Sequence, residues 1–153
     1  MAERKDPALS LWVVLARAFD AVERHSRASI ARHGLGTTEF GVLEVLYHKG
    51  RLPVSEVQRR ILVESGSTTY VVDKLVARRL VRRTPSTDDR RVTLLSLTPA
   101  GRQLIARIFP AHAQVMRNAV DSLSRRELGT ASALLKKLGK GAADHARPRM
   151  DLP

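Results

Sequence analysis

The run of residues 65–80 constrains the fold of this chain more than any other stretch. It begins with Ser65, a favourable helix N-cap because its hydroxyl can accept a hydrogen bond from a free backbone N–H of the first turn. Apolar or semi-apolar residues then recur at helical spacing. They form a predicted inward stripe of Thr68, Val72, Leu75, Val76 and Leu80. The pattern predicts a helix that buries one face and leaves the other available.

The available face of this helix has an unusual composition. It consists of Ser67, Tyr70, Val71, Lys74 and Arg78. An exposed helix face without a partner more often carries carboxylates and lysines. Hydroxyls, tyrosine and cations are the groups that contact phosphates and base edges in DNA complexes. The composition therefore predicts a DNA-recognition helix, and the alternative is an ordinary solvated face.

The segment before this helix predicts a second, shorter helix. Ser55 and Gln58 stand at the two ends of a capping-box pattern, so this helix is expected to begin near Val54 and to end before Glu64. Two short helices joined by a tight turn indicate a helix-turn-helix motif.

The segment after the helix predicts a β-hairpin. Residues 81–84 and 92–97 are rich in β-branched and apolar residues, which favour strands. The loop between them, residues 85–91, carries Arg90 and Arg91 close to its end. A helix-turn-helix followed by a hairpin with a basic tip is a winged helix-turn-helix.

The charge of the chain favours a polyanionic partner. Its 153 residues include 27 Lys and Arg but only 15 Asp and Glu, a formal net charge of +12. Charge alone does not distinguish nucleic acid from an anionic membrane. The excess is concentrated in residues 74–91, where seven basic residues accompany two acidic ones. The positive charge thus lies where the DNA-facing surface is expected.

The hairpin also carries a family resemblance. An Asp-Arg-Arg triplet, a gap of five residues, Leu-Thr, a gap of two residues and a glycine resemble the wing signature of the MarR (multiple-antibiotic-resistance regulator) family. The residues concerned are Asp89, Arg90, Arg91, Leu97, Thr98 and Gly101. Residues 65–75 resemble the branch of that family that answers quinones, catechols or other electrophilic stress. The order of elements matches over roughly residues 8–140.

This resemblance implies a mainly α fold with a small β-hairpin wing. In the resembling family, a winged helix-turn-helix lobe is joined to a helical dimerisation region, and two chains form a triangular homodimer. The implied partner is double-stranded DNA with a palindromic operator.

The N-terminal sequence predicts two helices before the winged segment. Asp6 and Pro7 provide an N-cap and a first helical residue for a helix expected to run to Arg32 or His33. A largely buried helix should follow it, and Leu52 is a candidate for a short third strand of the wing sheet.

The C-terminal sequence predicts two more helices. The first begins at Pro99 and should be kinked at Pro110, where a backbone donor is missing. Ser124 and Glu127 fit a capping box that opens the last helix. The composition from Gly141 onwards predicts a disordered or frayed tail.

The terminal helices are expected to pack together and against the same helices of a second chain. A first helix of about 25 residues would be about 37 Å long, more than one small lobe covers. The dimer would place two recognition helices about 34–36 Å apart, on successive major grooves. The predicted organisation is a dimerisation helix over residues 1–36, a winged lobe over 37–101, dimerisation helices over 102–140 and a flexible tail over 141–153.

A set of hydroxyl, tyrosine and basic side chains is predicted to contact DNA. The set is Ser65, Ser67, Thr68, Thr69, Tyr70, Lys74, Arg78, Arg90 and Arg91. Thr68 also belongs to the inward stripe. One wing arginine is expected to enter a narrow minor groove, where the negative potential is enhanced, while the other is braced by Asp89 or Asp73. Arg90 is the preferred candidate for the groove.

The resemblance also implies a small, often aromatic or anionic, effector that binds where the dimer helices meet the winged lobe. The candidate pocket residues are Trp12, Phe19, Phe40, Tyr47, His48, Phe109, His112 and Met116. The alternative is core packing for the aromatic residues and surface placement for the histidines. Such a ligand would hold the two lobes at a spacing that misfits the operator.

The sequence disfavours several other kinds of chemistry. Without cysteine, disulfides, thiol-based redox sensing and a cysteine zinc site are excluded. The five histidines are scattered, and neither a phosphate-cradling glycine loop nor a nucleophile elbow occurs, so no catalytic residue, metal or cofactor is predicted. The lack of a run of about 18 apolar residues predicts no membrane span, and a cytoplasmic protein is expected.

Together these patterns predict a sequence-specific transcriptional regulator. The favoured hypothesis is a repressor of palindromic operators that a small aromatic, phenolic or anionic ligand releases. One alternative is a DNA-binding regulator or architectural protein without an effector. Another is a module that uses its helices for protein partners and has lost DNA binding.

Overall fold

The computed structural model describes residues 6–61 and 68–146. The described residues form helices and a small sheet, in the order α1 (Pro7–Ala31), α2 (Thr37–Lys49), β1 (Leu52–Pro53), α3 (Val54–Arg60), α4 (Thr68–Ala77), β2 (Val81–Pro85), β3 (Thr93–Leu97), α5 (Pro99–Ala119) and α6 (Arg125–Ala146). This is the predicted mainly α fold with a winged helix-turn-helix. The chain divides into two compact units, one ending at Met116 and the other beginning at Arg117.

The beginning of α1 follows from its first two residues, as predicted. The Asp6 carboxylate accepts a hydrogen bond of 2.8 Å from the Ala8 backbone N–H, and Pro7 is the first helical residue. The helix ends at Ala31, just before the expected limit, and Gly34 then turns the chain with a φ of +67°. None of the helices in the described ranges is long and apolar enough to cross a membrane.

The predicted start of α3 is correct, but the predicted capping box is wrong. The helix begins at Val54 with Pro53 at the N-cap, and no side chain caps it. Because the chain passes directly from β1 into the helix, Ser55 lies inside the first turn instead of before it. The helix ends at Arg60, since Ile61 is extended and buried in the core.

The wing is a three-stranded antiparallel sheet in the order β1-β3-β2. The hairpin strands pair from Val81 opposite Leu97 to Pro85 opposite Thr93. On the other edge of β3, Leu52 pairs with Leu95, which confirms the short third strand. This sheet and α2, α4 and α5 enclose one apolar core, whose largest fully buried side chains include Leu43, Leu46, Leu75, Leu95 and Ile105.

Two residues of the wing signature, Thr98 and Gly101, hold the turn after α4 against the start of α5. The Thr98 hydroxyl donates to the Arg79 carbonyl over 2.6 Å, and the Thr98 N–H donates to the Leu80 carbonyl over 3.0 Å. Gly101 in turn donates its N–H to the Thr98 hydroxyl over 3.0 Å. A Cβ at Gly101 would lie 2.0 Å from the Leu80 carbonyl oxygen, so the close approach requires glycine.

The second unit contains α6, which begins with the predicted capping box. Ser124 donates its N–H to the Glu127 carboxylate over 2.8 Å, and the Glu127 N–H donates back to the Ser124 hydroxyl over 3.3 Å. The helix continues to Ala146, so the tail predicted from Gly141 is wrong over residues 141–146. Alanines follow Gly141 and favour the helix. The rest of the predicted tail lies outside the described residues.

Candidate nucleic-acid interface

One described residue of the predicted outward face of α4 is buried. Tyr70 is 72% exposed and Thr69 is exposed beside it, as expected of side chains that meet DNA. Val71, however, is only 8% exposed and packs in the core, so its predicted outward position is wrong. Asp73 takes a place on the exposed face instead. The helix therefore presents a hydroxyl, a phenol and a carboxylate near its beginning.

Of the three residues predicted to begin the DNA-contacting surface, Ser65, Ser67 and Thr68, the structure describes only Thr68. Thr68 is 1% exposed, which contradicts a DNA contact by its hydroxyl. It lies on the buried side of α4, because helical geometry groups it with Val72 and Leu75. Ser65 and Ser67 lie outside the described residues and stay predictions.

Two predicted DNA-contacting cations, Lys74 of α4 and Arg78 directly after it, are paired with a buried carboxylate on α2. Lys74 Nζ lies 3.1 Å and Arg78 Nη1 lies 3.4 Å from Glu39 Oε1. The other oxygen, Oε2, accepts the Gly36 backbone N–H over 2.6 Å. Burial would raise the pKa of Glu39, but the Gly36 N–H and the two cations outweigh it, so the pKa lies below its ordinary value.

A second ion pair connects α4 to the wing. Asp73 Oδ1 lies 2.6 Å from Arg83 Nη1 of β2. Asp73 is therefore the partner of Arg83 and not of Arg91, for which the sequence left Asp73 and Asp89 as alternatives. Both side chains of the Asp73–Arg83 pair are exposed, so solvent weakens the attraction between them.

The tip of the wing divides its two arginines into different environments. Arg91 donates two side-chain hydrogen bonds of 3.1 Å to Asp89, whose carboxylate also accepts the Arg91 backbone N–H over 3.0 Å. These bonds hold the pKa of Asp89 below its ordinary value. Arg90 is exposed and makes no hydrogen bond or ion pair with the residues that the structure describes. One arginine is therefore braced and the other is available.

The predicted effector residues do not form a single pocket. Phe40 and His112 stack with ring centroids 4.5 Å apart, and both are buried. Tyr47, His48 and Phe109 form a second ring cluster, in which His48 and Phe109 are 4.7 Å apart.

The other predicted pocket residues lie elsewhere. Trp12 and Phe19 are 66% and 67% exposed on α1. Met116 is half-buried on α5.

His112 is a buried histidine in a core environment. Burial, and to a lesser degree the proximity of His33, lower the pKa of His112 below its ordinary value. The imidazole is therefore held in its neutral form, which suits its contact with the Phe40 ring.

A cleft that sequence reasoning missed lies along α1. It has a volume of about 310 Å³ and contains none of the predicted effector residues. Its walls are formed by Ala21, Arg24, His25, Ala28, Ser29, Arg32 and Val115. In the ranges that the structure describes, no group of three or more His, Asp or Glu side chains is arranged to hold a metal ion.

The helix-turn-helix, the exposed Thr69 and Tyr70 and the basic wing define a winged helix-turn-helix protein of the DNA-binding kind. Comparison with known proteins identifies the family. A sequence model described as the MarR family matches residues 33–92. The chain is 42% identical over 137 residues to the HTH-type transcriptional regulator MhqR of Bacillus subtilis (strain 168), and the match covers 90% of this chain and 94% of that protein.

Solved structures agree with this fold. A MarR family transcriptional regulator from Streptomyces coelicolor in complex with DNA has a TM-score of 0.80 at 23% identity, covering 95% of this chain and 94% of that one. BpsR of Bordetella bronchiseptica, solved to explain regulation of its DNA binding by 6-hydroxynicotinic acid, has a TM-score of 0.78 at 24% identity, covering 90% and 98%.

The chain belongs to the MarR family of transcriptional regulators. The family predicted from the wing signature is thereby confirmed. The chain is therefore a DNA-binding transcriptional regulator, and its family is one of regulators and not of enzymes.

Proposed function

We propose that the chain represses transcription as a homodimer that binds palindromic operator DNA. The observation that carries this proposal is the joint exposure of Tyr70 on α4 and Arg90 on the wing, one suited to the major groove and the other to the minor groove. The similarity of the fold to the Streptomyces coelicolor regulator bound to DNA supports it.

The dimer is supported by apolar side chains that the single chain leaves exposed. On α1, Trp12 and Phe19 are about two-thirds exposed, at 66% and 67%. On α6, Leu134 and Leu135 are 62% and 48% exposed. Exposed apolar side chains of this size are a typical feature of a surface that a partner covers. A second copy of the chain provides matching helices.

The operator and the dimer are tested together. A 30-bp duplex is first selected from a random pool by the purified protein, and its affinity is then measured by fluorescence anisotropy against a scrambled duplex at one stated salt concentration. We expect a preference of at least about 1,000-fold and a selected site with two-fold symmetry. Sedimentation should show two chains, and Phe19→Glu should shift the population towards one. Equal affinity for both duplexes would refute sequence-specific binding.

We further propose that a small aromatic or anionic ligand releases the operator. The Phe40–His112 pair and the Tyr47, His48 and Phe109 rings are its candidate contacts. The structure of BpsR, which 6-hydroxynicotinic acid regulates, supports this class of ligand. Release requires that the ligand binds the DNA-incompetent form more tightly than the DNA-binding form.

A thermal-shift screen with phenols, salicylate-like acids and quinones tests the effector. Each compound that raises the melting temperature is then added to the protein–operator complex. An effector must stabilise the protein and also release the DNA. If no compound does both, the remaining interpretation is a regulator without an effector of these classes.

A further inference from the structure

Glu39 occupies a position where three hydrogen-bond donors converge on one buried carboxylate. It is 4% exposed and lies in the first turn of α2. Its Oε2 accepts from Gly36, and its Oε1 lies within 3.4 Å of both Lys74 of α4 and Arg78, which follows that helix. Capping α2 would require only the Gly36 contact. The contacts with Lys74 and Arg78 therefore connect α2 to the recognition helix.

The two cations are spaced so that one acceptor can restrain the whole helix. Arg78 directly follows the last residue of α4, and its backbone N–H donates to the Lys74 carbonyl over 3.0 Å, which places the two side chains one above the other. A common acceptor for both side chains opposes rotation of α4 about its axis and translation along it. Because the carboxylate of Glu39 is buried, salt screens this contact less than it screens a surface ion pair.

We propose that Glu39 is a positioning residue that determines DNA specificity, because it holds Lys74 and Arg78 and thereby fixes how Thr69 and Tyr70 meet the base edges. This inference rests on the proposed sequence-specific binding. Contacts to phosphates carry no sequence information, whereas contacts to base edges do. The ion pairs with Glu39 therefore limit contact of the two cations with DNA phosphates. They also fix the orientation of Thr69 and Tyr70, which read the base edges.

The second ion pair on α4 does not replace this restraint. Asp73 and Arg83 connect the helix to β2, but the Asp73 side chain is 58% exposed and the Glu39 side chain is 5% exposed. Salt and water weaken the exposed pair more strongly. The orientation of α4 consequently depends more on Glu39 than on Asp73.

The substitution Glu39→Gln tests the proposal. Glutamine keeps the size of the side chain and an oxygen that can accept the Gly36 N–H, but it loses the charge that holds Lys74 and Arg78. The control is Glu23→Gln, which changes the net charge equally and removes an ion pair within α1, between Glu23 and Arg27. Both variants are compared with the wild type on the duplex that the wild type selects and on its scrambled form.

We expect Glu39→Gln to lower the affinity for the selected duplex about tenfold, since misplaced base contacts lose discrimination. Its affinity for the scrambled duplex should stay equal or rise, because the released cations become free for phosphates. The ratio of the two affinities should therefore fall, while Glu23→Gln leaves it unchanged. A folded Glu39→Gln protein with an unchanged ratio would overturn the proposal, as would an equal loss on both duplexes.

A second variant examines the same contacts from α4 and remains informative if Glu39→Gln does not fold. In Lys74→Met/Arg78→Met, we expect the dependence of affinity on salt to change by less than about one unit of slope, because Glu39 already engages both cations. A loss of about two units would show that they neutralise phosphates, and would overturn the proposal. If the wild type itself does not distinguish the two duplexes, the proposed function fails, independently of Glu39.

Discussion

The substitution Gly101→Ala should destabilise the winged lobe strongly, although alanine is the better helix former. The added Cβ would lie 2.0 Å from the Leu80 carbonyl oxygen, whereas ordinary contact begins at 3.4 Å. The two backbones must therefore separate by about 1.4 Å. The same carbonyl accepts the Thr98 N–H over 3.0 Å, so the separation also strains that hydrogen bond.

The expected magnitude combines three effects. Overpacking costs about 1–3 kcal/mol, and it lies at the upper end here because the clash is with backbone. Loss of the Thr98 hydrogen bond costs about 0.5–1.5 kcal/mol. The gain from replacing glycine by alanine in a helix is at most about 1 kcal/mol. The net expectation for Gly101→Ala is a destabilisation of about 2.5–3.5 kcal/mol.

Equilibrium urea unfolding at a fixed protein concentration measures this change, because dimerisation would make stability depend on concentration. Gly129→Ala in α6 is the matched control. A Cβ there meets no atom within 4 Å, so the same substitution should be neutral or stabilising. If Gly101→Ala unfolds at the same urea concentration as the wild type or a higher one, the close approach to Leu80 does not limit this position and the reasoning is refuted.

Other predictions concern the wing and the buried histidine. Arg90→Ala should weaken binding to the selected duplex and reduce the salt dependence by about one unit of slope, whereas Arg91→Ala should change the slope less because Asp89 already engages Arg91. Operator affinity measured across salt concentrations checks this, and the role of the wing is contradicted if neither variant binds more weakly. Because the pKa of His112 is lowered in the fold, the unfolded chain binds a proton first, and stability should fall as the pH drops below about 6.5. In His112→Phe, the free energy of unfolding should depend less on pH between pH 7.5 and 5.5. If this dependence is unchanged, it arises from other titrating groups and not from His112.

Local sequence was sufficient to predict most helix and strand positions. Asp6 and Ser124 begin helices as expected, because an N-cap acts on backbone groups only two or three residues away. β-branched and apolar residues predicted the hairpin strands, since this preference depends on residue type within a short segment. The errors arose where competing local signals existed. Pro53, and not Ser55, is the N-cap residue of α3. Helix α6 continues through Gly141, where a tail was predicted.

The sequence predicted which kinds of side chain form the candidate DNA-binding surface, but not which of them pair with one another. The sequence indicated that Tyr70 and a wing arginine would be exposed, because their types and spacing suit DNA. It contained no signal that Glu39 would pair with cations 35 and 39 residues further along the chain.

The sequence by itself determined the family, the order of the elements and the basic character of the wing, since these depend on residue type and short spacing. Only the tertiary structure decided that Val71 is buried, that Arg91 is braced while Arg90 is available, and that Glu39 pairs with Lys74 and Arg78. The physical reason is that burial and ion pairing depend on which segments pack together. Residues far apart in the sequence become partners only after α2, α4 and the wing close around one core.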